Sequence, residues 1–240
     1  LKVRAWLSLS KNQYDINYAL SELYADSAII AAERYNRPVE RAVALVEKGR
    51  SAMRQSKYED ATLAFRKALR YYDSTGSLKK KAIVLNNISV IKRDQAQYDA
   101  SVEYIFKSLK IMEELQDSSG IANAYINIAV VYAIKQDFGL AEEYFNKAII
   151  ILEALGKEQL QHTITLNLAG VLSDNQEFQA ALPYLNKARD YFEANGPPVE
   201  LGRTHYIYGN IYLELNELDK SDGNYLIARG IFSDIGNIKR

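Results

Sequence analysis

Residues 125–148 read YINIAVVYAIKQDFGLAEEYFNKA, and three alanines within them decide the fold: Ala129, Ala141 and Ala148. Stepping the chain by 40 residues returns a small side chain at almost every equivalent point. Ala129 belongs to the series Leu9, Gly49, Ser89, Ala129, Ala169, Gly209. Ala141 belongs to Ser21, Ala61, Ser101, Ala141, Ala181, Ser221, and Ala148 to Ala28, Ala68, Ser108, Ala148, Ala188, Ala228. Between the first two runs a bulky series: Tyr18, Tyr58, Tyr98, Phe138, Phe178, Leu218. Small residues at fixed points let two helix backbones approach closely, where a large side chain would overpack the contact. Phe65, Ile105, Phe145, Leu185 and Tyr225 fill the space beside them, and Ala25 is undersized for that place in the first unit.

The turns keep the same period. Asn36, Gly76, Gln116, Gly156, Gly196 and Gly236 are 40 apart, and glycine and asparagine are the residues that best tolerate the left-handed conformation ending a helix. Gln116 departs from this, with Gly120 close behind to absorb the strain. Pro38 and the pair Pro197 and Pro198 follow such turns, where proline stops one helix and opens the next. The pattern predicts first helices at about 2–12, 39–55, 79–95, 119–135, 159–175 and 199–215. Second helices fall at about 16–34, 57–74, 97–114, 137–154, 177–194 and 217–234, the fifth of these bent at Pro183. The repeats are then 1–37, 38–77, 78–117, 118–157, 158–197 and 198–237, a single array without linkers or insertions.

Composition narrows the function. Thirty basic residues balance thirty acidic ones, so the chain lacks the charge excess of a nucleic-acid or membrane-surface binder. The absence of cysteine excludes disulfides and thiolate chemistry but leaves the compartment open between periplasm and cytoplasm. No apolar run is long enough to span a membrane. The only histidines are His162 and His205. They are not spaced as a helical zinc pair; His205 falls on a packing position and His162 is expected at an exposed helix start. No phosphate-binding loop or glycine fingerprint occurs, and nothing singles out an acid–base pair. No catalytic, metal or cofactor site is expected. The tyrosines at repeat positions, Tyr58 and Tyr98 among them, are read as core.

These positions resemble the tetratricopeptide repeat, carried best by Tyr125-Ile126-Asn127-Ile128-Ala129 with Phe138, Ala141, Phe145 and Ala148, and by Gly49 with Tyr58, Ala61, Phe65 and Ala68. The resemblance covers essentially the whole chain and implies an all-α, right-handed superhelical solenoid of six helix hairpins. The common repeat has 34 residues. The 40-residue form here is similar to repeats of kinesin light chains, peptide-regulated aspartate phosphatases and quorum-sensing regulators, and sensor histidine kinases. Tyr191-Phe192-Glu193-Ala194-Asn195-Gly196 and Ile150-Ile151-Leu152-Glu153-Ala154-Leu155-Gly156 look like helix ends of that group. The chain opens at Leu1 and ends in Gly236-Asn237-Ile238-Lys239-Arg240, which parallels Gly76-Ser77-Leu78-Lys79-Lys80. It is read as a piece of a longer protein, cut where another helix starts.

The resemblance implies a protein- or peptide-binding scaffold, the sensing or adaptor part of a larger bacterial signalling protein. A self-assembly module that makes a homodimer, and a phosphatase-like regulator of a response regulator, are the alternatives. By the same resemblance the first helices line a groove, to which Val43, Val46, Glu47 and Arg50 of the second repeat, Ile83, Asn87 and Arg93 of the third, and Leu166 and Asn167 of the fifth are mapped. Asn87, Asn127 and Asn167 then form an amide ladder able to hold a peptide backbone. Ile126, Val130 and Ile134 make an apolar centre, with the charges Arg50, Arg54, Arg93 and Asp94 before it and Asp174 and Glu214 after it; Tyr206 and Asn210 are groove positions of the sixth repeat. A two-carboxylate clamp for acidic peptide ends is not expected, because the required lysines are missing from the mapped positions.

Overall fold

The computed structural model describes residues 2–238, with side chains through Gly236. All regular structure among them is α-helical. Contacts sort the chain into two compact units, Leu1–Asp117 and Ser118–Arg240, and their boundary coincides with a repeat boundary. The first unit holds α1 (Lys2–Gln13), α2 (Tyr18–Arg34), α3 (Pro38–Arg54), α4 (Tyr58–Ser74), α5 (Leu78–Asp94) and α6 (Tyr98–Glu114). The second holds α7 (Ser118–Ile134), α8 (Phe138–Ala154), α9 (Glu158–Asp174), α10 (Phe178–Asn195), α11 (Pro198–Glu214) and α12 (Leu218–Ile238). Each unit is three antiparallel hairpins, and within each unit every helix packs on the next. The expected six hairpins are all present, most helix ends lying within a residue of their expected places.

The small-residue series does what its size allows. Ala61, Ala141 and Ala181 are fully buried, as are Ala68, Ala148 and Ala188, and Phe65, Phe145, Ile105 and Leu185 lie beside them at 0–1% exposure. A Cβ added to Gly49 would sit 2.5 Å from the Phe65 ring, and one added to Gly209 would sit 2.6 Å from Tyr225. The serines in these series are no weakness. Ser101 Oγ donates to the Ser89 carbonyl at 2.8 Å, Ser221 Oγ to Gly209 at 2.9 Å and Ser108 Oγ to Ala82 at 2.8 Å. These three buried hydroxyls thus have acceptors on a neighbouring helix, and Ser89 Oγ donates to Asn86 in its own helix at 2.6 Å, which removes the penalty of burying them.

The first hairpin departs from the period. Leu9 is 39% exposed, whereas Ser10 is fully buried and trades hydrogen bonds with Ser21: Ser10 Oγ donates to the Ser21 carbonyl, and Ser21 Oγ to the Ser10 carbonyl. Ser10 therefore fills the place of Gly49 and Ser89. Its partner lies 11 residues on rather than the 12 that separate Ser89 from Ser101. The first hairpin is one residue short, so stepping by 40 selects the wrong face of α1. The opening tyrosines also differ from the core reading: Tyr58 and Tyr98 are half-buried, because their rings lie at the hairpin edge.

Left-handed residues end most helices. Asn36, Gly76, Gln116 and Gly156 take φ of 49–63° as expected. Gln116 carries its own strain, because Gly120 is already inside α7. Gly196 is extended, at φ −96° and ψ 168°; the following Pro197 pushes the residue before it toward extended backbone by steric clash. Gly236 does not cap at all, since α12 runs on to Ile238. The residues Asn237 and Ile238 of the terminal segment lie in that helix, and Lys239 and Arg240 lie outside the described residues. The tight turn inside each later hairpin has its own left-handed residue: Ser56, Ala96, Gln136, Gln176 and Asn216, at φ of 58–63°. None is glycine, so the hairpin contact and not the residue imposes the turn. Helix α10 continues through Pro183.

Candidate functional site

In the first unit the side chains of α1, α3, α4 and α5 line an open-mouthed cavity of about 460 Å³. Its apolar floor is Val43 and Val46 from α3 with Ile83 and Val84 from α5. Spacings of three and four residues bring these valines, Glu47 and Arg50 to one face of α3, and Lys80, Ile83, Val84 and Asn87 to one face of α5. Tyr72 from the end of α4 and Lys11 from the end of α1 complete the wall.

The polar members are unequally engaged. Glu47 is buried and paired with Arg50 Nη1 at 3.2 Å. Arg50 also lies over the Tyr14 ring, 4.3 Å from its centroid, and is held in place from both sides. The Tyr72 phenol is pushed up to about 12 by burial and by the nearby Glu47 carboxylate, so it stays neutral. Asn87 Nδ2 is buried and has no partner among the described residues. An orphaned buried donor costs about 1–3 kcal/mol; the residue that carries it is half-buried and lines the cavity.

The other candidate residues lie elsewhere. Arg93 pairs with its neighbour Asp94 at 2.9 Å. In the second unit Asn167 Oδ1 accepts from Arg203 Nη2 at 3.0 Å, and Asn210 Oδ1 accepts from Tyr225 Oη at 2.7 Å. Tyr206 is half-exposed and tilted against Tyr225. Asn127 is half-buried and engaged with its surroundings. Ile126 and Val130 are half-buried and pack against the unit's apolar core, while Ile134 remains 47% exposed. Leu166, mapped to the groove, is fully buried, since at that position α9 has turned its side chain into the core.

Residues 80–154 match the family model of the tetratricopeptide repeat. The matched stretch takes in the hairpins α5–α6 and α7–α8. No curated protein matches the sequence. Among solved structures, BtubC from P. vanneervenii superposes with a TM-score of 0.80 at 16% identity, over 92% of each chain. A Rap protein complexed with competence and sporulation factor gives 0.73 at 15% identity, over 98% of this chain and 65% of that one. A STAND signal-transduction ATPase with a tetratricopeptide repeat sensor, from Pyrococcus horikoshii, gives 0.80 at 14% identity; the match takes in 98% of this chain and 38% of that one. Likeness at this identity speaks for the fold.

Within the tetratricopeptide frame, three wall residues of the cavity escaped the sequence reading. Lys11 was hidden by the one-residue slip of α1. Tyr72 comes from a second helix, whose residues were not mapped to the groove. Lys80 precedes the mapped positions of α5, and its only signal was the run Lys79-Lys80-Lys81. The histidines divide. His205 is buried with Nδ1 2.8 Å from Asn224 Oδ1, a satisfied packing residue as expected. His162 is not exposed: it stacks on Tyr191 at 4.2 Å, its Nδ1 buried without a partner and its pKa lowered by burial. Among the described residues no three metal-binding side chains cluster, and no helix is long and apolar enough to cross a membrane.

Proposed function

We propose that this chain binds a peptide segment of a partner on its first-helix face, as the sensing or adaptor part of a bacterial signalling protein. The tetratricopeptide fold is a platform for protein–protein contact. The observation that carries the reading is the cavity between α3 and α5, with an apolar floor and one buried amide donor left unpaired. Pockets of this size hold ligands on the scale of a short peptide segment. Two of the fold relatives support the signalling part: one is a Rap protein in complex with a factor, the other a protein whose repeats are described as a sensor.

The test begins with peptide display on the full chain and titration calorimetry of the selected peptides. One-to-one binding at micromolar affinity, with a protein mass that stays near 27.2 kDa at all concentrations, is expected. Ile83→Asp, at a half-exposed floor position, should weaken binding at least tenfold. Peptides that bind this variant undiminished would place recognition elsewhere. A mass that doubles with concentration would favour the self-assembly alternative.

A further inference from the structure

Resting on the peptide reading, we infer that the segment held in this cavity carries an internal acidic side chain next to an apolar one, selected by Lys11 and Lys80. The lining contains three cations, Lys11, Arg50 and Lys80, against one carboxylate, Glu47. Glu47 is already matched by Arg50, which leaves two positive charges uncompensated. In a chain whose charges otherwise balance at thirty each, that surplus is local.

The run Lys79-Lys80-Lys81 sharpens the point. Lys79 pairs with Asp117 at 2.6 Å and Lys81 with Asp73 at 2.7 Å. Lys80, between them, has no ion pair among the described residues; its ammonium lies 5.7 Å from the Tyr72 ring centroid, at the cavity wall. Lys11, in the same lining, is likewise unpaired among the described residues. Asn87 Nδ2 adds a buried donor without an acceptor. The uncommitted charges of this wall are both cations, so the ligand supplies the anion. Its carboxylate meets the two ammonium groups at the mouth, and its neighbouring apolar side chain lies on Val43, Val46 and Ile83. Recognition of this kind sets charge preference and salt dependence more than raw affinity.

The experiment uses three fluorescent pentapeptides blocked at both ends, Ala-Leu-X-Leu-Ala-amide with X as Glu, Gln or Lys, titrated against the full chain by anisotropy. The Glu peptide should bind about tenfold tighter than the Gln peptide at low salt, as expected for a charge pair at the protein surface. The advantage should shrink as salt is raised. The double variant Lys11→Ala/Lys80→Ala, at two exposed positions, should erase it while leaving the Gln peptide unaffected. Equal binding of all three peptides, or a preference for Lys, overturns the acidic assignment and leaves the peptide reading standing. A Glu preference that survives the double variant overturns the assignment of the lysines. No binding by any of the three at millimolar concentration overturns this inference; peptides selected by display would then decide the peptide reading separately.

Discussion

The two units are built from the same repeat, yet one repeat position behaves oppositely in them. Asn87 in the first unit has a buried amide nitrogen with no partner. Asn167 in the second, 80 residues on, is tied to Arg203, and that arginine is held in turn by Glu200 at 2.7 Å. Asn87 lines the cavity of its own unit, whereas Asn167 is spent on an ion-pair network. The same repeat position is therefore structural in one place and uncommitted in another. Repeat number alone does not decide it.

The largest effect that sharpens this comparison comes from the cores. Phe65→Ala and Phe145→Ala each remove a fully buried ring and should cost about 3–5 kcal/mol. Because repeats are stabilised by their neighbours, hydrogen exchange should show the first variant loosening α3–α5 more than α9 and α10, and the second the reverse. Equal loosening throughout would erase the distinction between units.

Next come the asparagines themselves. Asn87→Leu removes an unsatisfied buried donor and should raise stability by about 1 kcal/mol in urea denaturation, whereas Asn167→Leu should lower it by about as much. The same sign for both would break the comparison. The turns provide a smaller contrast. Ala96 in the first unit is left-handed, a conformation costing an L-residue about 1–2 kcal/mol, part of which glycine's greater unfolded freedom cancels. Ala96→Gly should stabilise by about 0.5–1 kcal/mol. Asn216→Gly in the second unit should change little, because asparagine already tolerates that conformation.

The smallest effect is a pH response confined to the second unit, which contains both histidines. Burial holds His162 below its ordinary 6.5, so on acidification the unfolded chain takes up this proton first. The stability contribution is full above about pH 6.5 and is lost as pH falls through the folded value. His162→Phe should flatten melting temperature across that interval, with no change in the wild-type slope elsewhere.

Most of the hairpin architecture could be read from the sequence because a close helix contact tolerates only small side chains, and Ala61, Ala141 and Ala181 record that constraint directly. The first hairpin misled because a one-residue deletion shifts α1 without changing its composition; only the Ser10–Ser21 hydrogen bonds reveal it. Gly196 misled because its neighbour Pro197 outweighs its own freedom. For the site, Val43, Val46, Glu47, Arg50, Ile83 and Asn87 were mapped to the first-helix face and do line the cavity. Tyr72 and Lys80 were not, since a wall contributed by a helix end depends on how hairpins stack, which no local pattern encodes.

The short first hairpin bears on how such a gene can grow or shrink. Cutting out 58–97 would join Lys57 to Tyr98, and every downstream residue would keep its face, so whole modules can be lost or duplicated by recombination within this stretch. A crossover that pairs α1 with a later first helix would land Leu9 where Gly49 or Ser89 belongs and carry the error through the helix. The first hairpin is thus out of register with the later modules, and exchange that keeps every face should be confined to the later repeats.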